Sequence, residues 1–513
     1  MEQNYRLQIG LICILSVVLY ANTWQHGYVL DDIATISQNR LVQMGWSGIP
    51  EMFRHTLWFG YDGYESVNSY RPLAHATFAA EYALLGSLRP DVSHVVNTLL
   101  YAGVCLLLWQ FLRRLFPQYS QLVFFASLLF VVHPVHTESI ANLKNRDELM
   151  ALLFGLASLL ALVRSVTQNN RAWLIFSAFL YALGLLCKES LAAWILVFPL
   201  VLFYHPSAPL GAQKILRWTS LFLLTFALVW LGRSLVTAQV VPQPKPDHWN
   251  NPILLADSWI TALGTKLYVL GKYLQLSVVP HTLTSSYFYN DLPLLPVWHW
   301  KSLLSAFAYG ILGYAVVRYV PARHPLGFAV AFYGITLAMF SNFLMFYFYT
   351  AALSERFLLI PSIGICMAGG YGLQKLSAYS RPLAMGVFVF MLVAASLKTI
   401  VRNRAWADNF TIAQTDLATS PQSYLLNATM GLELYKKAEA QNNVYLLQQA
   451  LPYFEKAVQL DAEDPNIWEY YGRSLALLGN YSQAAYCFEQ ALRINPRALH
   501  LKPLLERVSQ MQR

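Results

Sequence analysis

Residues 171–205 read RAWLIFSAFLYALGLLCKESLAAWILVFPLVLFYH. Two apolar runs, Ala172–Leu186 and Leu191–Tyr204, flank one charged pair, Lys188-Glu189. A helix that crosses a bilayer needs roughly 20 predominantly apolar residues, and runs of this kind recur on both sides. Upstream lie Leu11–Tyr20, Val95–Trp109 and Leu149–Val163; downstream lie Thr219–Leu231, Ser302–Val317, Leu326–Phe348, Phe357–Leu373 and Leu383–Leu397. Of the 513 residues, 56% are hydrophobic and 12% charged, where a soluble domain carries about 25% charged residues. Too few charges remain to cover a water-soluble surface. The sequence therefore predicts an all-α chain built on a polytopic transmembrane helical domain.

Arg6 precedes the first run and no small-residue cleavage site follows it, so it reads as a retained span. The net charge of +9 does not call for nucleic acid. The cations gather in short connections, Arg113/Arg114, Arg164/Arg171, Lys214/Arg217, Arg318/Arg323 and Lys375/Arg381, as a positive-inside topology requires. Residues 25–91, 133–147, 188–190, 237–298 and 348–356 then fall on the other side. Eleven spans satisfy this pattern if Trp259–Val279, with Lys266 and Lys272, lies in the interface or re-enters instead of crossing. Lys398, Arg402 and Arg404 run against it and leave a twelve-span arrangement open. The five cysteines stand singly in apolar surroundings, with no CxxC or Cys/His cluster, and read as packing residues.

Composition shifts once, near Arg402, which divides the chain into a membrane domain, 1–401, and a polar helical domain, 402–513. In the latter, Trp468, Gly472, Ala484, Phe488, Ala491 and Pro496 stand at positions 4, 8, 20, 24, 27 and 32 counted from Pro465. This is the pattern of a tetratricopeptide unit, with small residues where two antiparallel helices touch and an aromatic filling the gap. Ala450, Phe454 and Ala457 repeat it one unit earlier, with a first helix expected around Tyr424–Ala438 and extra residues before the second. Two units are few for a free-standing array, so the tail is expected to dock on the membrane domain or on a protein partner.

Chemistry-bearing residues cluster at span ends. The first long loop opens with His26-Gly-Tyr-Val-Leu-Asp31-Asp32. Asp32 ahead of Ile33-Ala34-Thr35 reads first as a helix cap, with a general base or substrate clamp as the functional alternative. His133-Pro-Val-His136-Thr-Glu138 and Asn145-Arg146-Asp147-Glu148 put two His, three acids and an Arg into one short connection. The proline between the two His keeps them off a regular helical face, which favours hydrogen bonding to a sugar or phosphate over a closed metal site. Asp147 reads alternatively as a cap on the next helix. Arg71, Lys188 and Arg356 are cations at span ends suited to a phosphate. Residues adjacent on a helix do not face each other, so Lys188 with Glu189, and Arg356 with Glu355, are poor pairs, and partners elsewhere are expected. The stretch from Pro242 to Pro252 reads as a lid or a linker. No Walker A, GxGxxG, nucleophile-elbow or HExxH motif occurs.

The stretches YVLDDIATISQN, SYRPLAHATFAAEYALLG, HPVHTESIANLKNRDELMA, CKESLAAWILVFPLVLFY, TKLYVLGKYLQLSVVPHTLTSSY and SERFLLIPSIGICMAGGYGL occur in this order. In them the chain resembles the TMTC family, membrane O-mannosyltransferases that end in tetratricopeptide repeats, within the GT-C glycosyltransferase superfamily. The resemblance implies a GT-C-like membrane domain and a polyprenyl-phosphate-linked sugar donor, mannose or another hexose. The acceptor would be a hydroxyl on a protein or glycan, protein Ser/Thr first, on the non-cytoplasmic face. It implies that Asp31 or Asp32 is the catalytic acidic residue of an inverting displacement. It further implies that Arg146, Lys188 and Arg356 stabilise phosphate charge, and that His133, His136 and Glu138 orient sugar or acceptor, with Arg71, Asp147 and Glu189 in the same binding set. No metal ligand set is assigned; the acids are compatible with a divalent metal, though a monophosphate-lipid donor does not require one. The implied location is the bacterial inner membrane for a prokaryotic chain and the endoplasmic reticulum for a eukaryotic one. The active loops and the repeat tail would lie outside the cytoplasm, among membrane lipids. Two units fall short of the many in animal relatives. A non-catalytic scaffold recruiting partners through its tail is the rival reading, and a transporter a weaker one, since the charges sit at span ends and the spans show no internal repeat.

Overall fold

The computed structural model describes residues 5–61, 69–206, 210–238, 251–288, 290–344 and 351–511, and every regular element among them is helical. The chain forms two compact units. One comprises Met1–Pro246, Asp257–His281 and Leu295–Ala407; the other comprises Asp247–Ala256, Thr282–Leu294 and Asp408–Arg513.

In the first unit, six helices among the described residues are long and apolar enough to cross a bilayer: Tyr5–Thr23, Pro90–Leu115, Leu143–Gln168, Ala212–Thr237, Trp300–Tyr319 and Arg381–Ala405. This makes the chain an integral membrane protein. Ser120–Val132 and Pro134–Ala141 form a further, broken pair bent by 47°. The break falls where the sequence demands it, because a residue ahead of proline is driven out of the helical region and His133 is extended, at φ −65° and ψ 119°. Arg171–Cys187, Glu189–Tyr204 and Pro325–Ala338 are shorter apolar helices, and Trp259–Val278 forms a helix that is not among the candidate spans. The stretch from Pro242 to Asn250 lies outside the described residues.

These helices sort by what they face. Leu143–Gln168 has 72% of its most apolar window buried inside the protein, Ala212–Thr237 only 6%. Both are apolar, so the first is a core helix and the second presents its sides to lipid. In lipid, close packing rather than removal of water holds helices together. Gly370 shows this: a Cβ there would stand 2.8 Å from the Leu122 carbonyl oxygen, so only glycine lets Ser362–Tyr379 approach Ser120–Val132 this closely. Between the first span and Pro90–Leu115, a series of short turns and the Pro72–Leu85 helix build a small cap. Its core is Ile36, Leu41, Val42, Met52, Phe78 and Ala79, joined by Leu143 from the distant Leu143–Asn145 turn.

The second unit carries two helical hairpins, Tyr424–Gln441 with Val444–Leu460 and Pro465–Leu477 with Tyr481–Ile494. Phe488 fills the gap over Gly472, where a Cβ would come within 2.9 Å of its ring, and Phe454 does the same over Gly431 at 2.8 Å. The extra residues expected in the earlier unit lengthen its first helix to 18 residues, against 13 in the later one. Asn409–Leu417 packs onto the first hairpin through Ala413, and Leu501–Met511 onto the second through Leu501 and Val508, so both ends are covered, as terminal repeats require.

Candidate functional site

The loop after the first span turns back on itself at Leu30, a non-glycine residue at φ +51°. Such a conformation costs of order 1 kcal/mol or more and persists only where its surroundings enforce it. The enforcement comes from Asp32. Its Oδ2 accepts the Val29 N–H at 3.0 Å and its Oδ1 accepts the Lys144 N–H at 2.6 Å. Asp32 is fully buried and makes no side-chain cap bond to the turn that follows. Its carboxylate does not cap that turn, as the sequence suggested; it clamps the first loop to the Leu143–Asn145 turn. Burial pushes its pKa up to about 7, with the Val29, Lys144 and Leu143 N–H groups opposing the rise and the Asp31 charge adding to it.

Asp31 has the opposite character. Its side chain is 37% exposed and, among the described residues, bonds Lys144 Nζ at 3.2 Å. Partial burial would raise its pKa, but Lys144, Arg356 and Arg71 outweigh this and hold it below the usual carboxylate range. Lys144 therefore serves both acids, through its backbone N–H to Asp32 and its ammonium to Asp31.

Behind this edge lies a closed network. Arg71 grips Glu189 with Nε at 3.2 Å and Nη2 at 2.8 Å, and Asp147 with Nη1 at 2.6 Å. Lys188 donates to Asp147 at 3.1 Å and lies 3.3 Å from Glu148, which also accepts from Ser190 at 2.9 Å. Arg233 reaches Glu189 at 3.5 Å. All these side chains are buried. Lys188 thus pairs across to the Arg146–Gln168 helix and not with its neighbour Glu189. Likewise Arg356 pairs with Glu138, through its backbone N–H and Nη1, both at 2.8 Å, while Ser354 Oγ also donates to Glu138. Among the described residues Nε and Nη2 of Arg356 have no protein partner, and its side chain stays 19% exposed.

The two His are committed. His133 Nε2 donates to the Ser277 carbonyl at 2.9 Å and its Nδ1 accepts from the Val135 N–H. His136 Nδ1 meets the Tyr101 hydroxyl at 2.9 Å and its Nε2 the Ser362 hydroxyl at 2.8 Å. No cluster of three or more metal-ligating groups occurs among the described residues. Arg146 is fully buried and apart from the edge; it bonds Asn97, Thr77, Glu81 and the Ser93 carbonyl, and lies 4.0 Å over the Phe78 ring. Asp147 faces the network and does not cap its helix, whose flanking residue Asn145 also makes no side-chain cap bond.

The structure brings together Asp31, Arg71, Glu138, Asp147, Lys188, Glu189 and Arg356, with Asp32 as their clamp. Lys144 and Ser354 belong to the same constellation and were not singled out in the sequence. Lys144 sits in a polar run with Arg146, and nothing in that run distinguishes which cation turns to Asp31.

A helical membrane unit with buried ion pairs behind one half-exposed carboxylate defines a class of membrane protein with a polar site at its span ends. The family described as dolichyl-phosphate-mannose-protein mannosyltransferase matches residues 71–232, and the tetratricopeptide repeat family matches residues 465–498. The first stretch holds the closed network except Arg233, and leaves out the edge residues Asp31, Asp32 and Arg356. The chain is 26% identical to protein O-mannosyl-transferase TMTC3 of Mus musculus, over 98% of this chain and 56% of that protein. It is 27% identical to Tmtc3 of Drosophila melanogaster, over 97% and 60% respectively, and 31% identical to TMTC2 of Homo sapiens, over 58% and 37%. The chain therefore resembles the TMTC family over nearly its whole length, and spans somewhat more than half the length of the TMTC3 relatives. No solved structure matches it.

Proposed function

We propose that the chain is a GT-C-type glycosyltransferase. It transfers a hexose, mannose first, from a polyprenyl-phosphate donor to an acceptor hydroxyl, a protein Ser or Thr, on the non-cytoplasmic face. The observation that carries this reading is Asp31: an ionised, half-exposed carboxylate beside two cations, Lys144 and Arg356, that keep donors to spare. The names of its relatives support the choice of mannose and of protein as acceptor.

In the proposed reaction the acceptor oxygen attacks C1 of the sugar from the face opposite the phosphate. The C1–O bond to phosphate breaks, the polyprenyl phosphate leaves with the electron pair, and the acceptor proton passes to Asp31. Asp32 is better matched in acidity to neutral pH, but both its oxygens accept backbone N–H groups and it is wholly buried. Reach comes before acidity in choosing a base, so Asp31 takes the proton and Asp32 positions it. Lys144 and the unpaired Nε and Nη2 of Arg356 meet the phosphate charge as it develops. Arg71, Asp147, Lys188 and Glu189 form the wall that fixes these groups, and Arg146, His133 and His136 fix the loops. A protein acceptor held by the repeats completes the reading.

Transfer of labelled mannose from polyprenyl-phosphate mannose, by the full chain in nanodiscs with a membrane lysate as acceptor, tests it. Loss of incorporation in Asp31→Asn with a normal unfolding profile is the expected result. Incorporation that survives both Asp31→Asn and Asp32→Asn moves the base to another residue. Absence of incorporation by folded wild type with any hexose donor, together with partner binding lost on deletion of the tail, establishes the scaffold reading instead.

A further inference from the structure

At the far end of the helix that carries Asp147 the membrane unit builds a second charged place. Arg146–Gln168 has 23 residues, and at about 1.5 Å per residue its ends lie about 33 Å apart, the thickness of a bilayer core. Its end at Asn169, the start of Arg171–Cys187 and the start of Ala212–Thr237 line an open cavity of about 630 Å³, within the size range of ligand sites. Ala212–Thr237 spans the same distance: its Arg233 end joins the buried network through Glu189, while Lys214 and Arg217 at its other end face the cavity.

Arg171, Lys214 and Arg217 line this cavity together with Asn169 and Gln213. Among the described residues none of the three cations has an acidic partner, and the sequence explains it. No Asp or Glu occurs between Glu148 and Glu189, or between Glu189 and Asp247. Three cations at one cavity, two of them exposed, set up a local positive field that favours an anion. The Ala212–Thr237 helix also begins there without a side-chain cap, which adds the positive end of its dipole. The remaining lining is apolar, from Leu174, Leu221 and Trp218, with the Lys214 ammonium 5.0 Å from the Trp218 ring. Along the same two helices Ile175, Phe176, Phe179, Leu223 and Leu224 are exposed, a surface suited to acyl chains.

We propose that this cavity binds the phosphate headgroup of an anionic phospholipid in the leaflet opposite Asp31, with the acyl chains along the exposed faces of Arg171–Cys187 and Ala212–Thr237. A free phosphate would leave the apolar lining and the flanking faces unused. A zwitterionic lipid would bring an ammonium for which the cavity holds no carboxylate. Basic pockets between spans recognise anionic headgroups in this way. The inference rests on the membrane unit alone and stands or falls apart from the transfer reaction.

The test is native mass spectrometry of the full chain released from nanodiscs of equal phosphatidylglycerol and phosphatidylcholine. Wild type is expected to retain phosphatidylglycerol in preference. The triple variant Arg171→Gln/Lys214→Gln/Arg217→Gln is expected to lose roughly tenfold or more of that preference. Lys375→Gln/Arg381→Gln, at another basic connection, is expected to keep it. Equal retention of the two lipids by wild type overturns the proposal, as does a preference that survives the triple variant or falls equally in the control. Displacement of the lipid by excess inorganic phosphate overturns the lipid assignment in favour of a free anion. If the triple variant does not fold, the single change Arg217→Gln at an exposed position and the wild-type competition decide.

Discussion

Two halves of one charged cluster share residue types and differ in closure. Inside, Arg71, Lys188, Asp147, Glu148 and Glu189 are all buried, and each pairs with an opposite charge within 3.3 Å. At the edge, among the described residues, Asp31, Lys144 and Arg356 each hold one charged partner and keep bonding capacity in reserve. A saturated network has nothing left to give a substrate and serves to hold geometry. An unsaturated edge fixed to that network can meet new charge without rearranging, which is what electrostatic stabilisation of a transition state needs. The comparison assigns roles that residue type does not.

The largest effect should come from the edge. Asp31→Asn is expected to lower the transfer rate by about a thousandfold, the range of a lost general base, with the unfolding midpoint unchanged. The opposite pattern is expected within the network. Arg71→Leu leaves Glu189 buried without its main partner and Asp147 with Lys188 alone, and breaking such a pair costs about 3–5 kcal/mol. Heat unfolding should show that loss; a stable Arg71→Leu protein would mean the network is better solvated than its burial indicates. Arg356→Gln should cost about a hundredfold in turnover and less stability than Arg71→Leu, since the buried Glu138 keeps the Ser354 hydroxyl and the residue 356 N–H, and Arg356→Lys should restore part of the turnover. Equal damage to stability by Arg356→Gln and Arg71→Leu would erase the distinction between edge and wall.

The smallest effects lie in pH. With Asp31 held below the ordinary carboxylate range, a base at that position stays ionised, so turnover should be level between about pH 6 and 7 and fall towards pH 8, where burial has brought the Lys144 ammonium down to a pKa of about 8. A rate that climbs through about 7 would point to Asp32 instead. Asp32 also predicts a stability slope. Its folded pKa is raised above its unfolded value, so folding takes up a proton between the two, and this contribution fades as pH rises through about 7. Wild type should lose unfolding temperature over that window relative to Asp32→Asn, whose side chain does not titrate.

Sequence carried much of the architecture because spans and repeats are local patterns. The apolar runs announced the membrane helices, and Gly472 with Phe488 announced a hairpin in which the ring fills the space a side chain would otherwise block. The break at His133 was legible in Pro134 for the same reason. The eight residues brought into one site were legible as candidates, since they gather in a few connections where acids, His and cations stand together. Their division of labour was not. Asp31 and Asp32 are neighbours of the same type, and only the fold exposes one and buries the other against the N–H groups of Val29 and Lys144. Lys144 and Arg146 lie two positions apart in one polar run, yet one turns to Asp31 and the other into a pocket over Phe78. Chain order sets which helices exist; pairing across 118 residues, as between Arg71 and Glu189, is set by packing. The acidity of a carboxylate depends on the water and charge around it, and those are properties of the assembled structure.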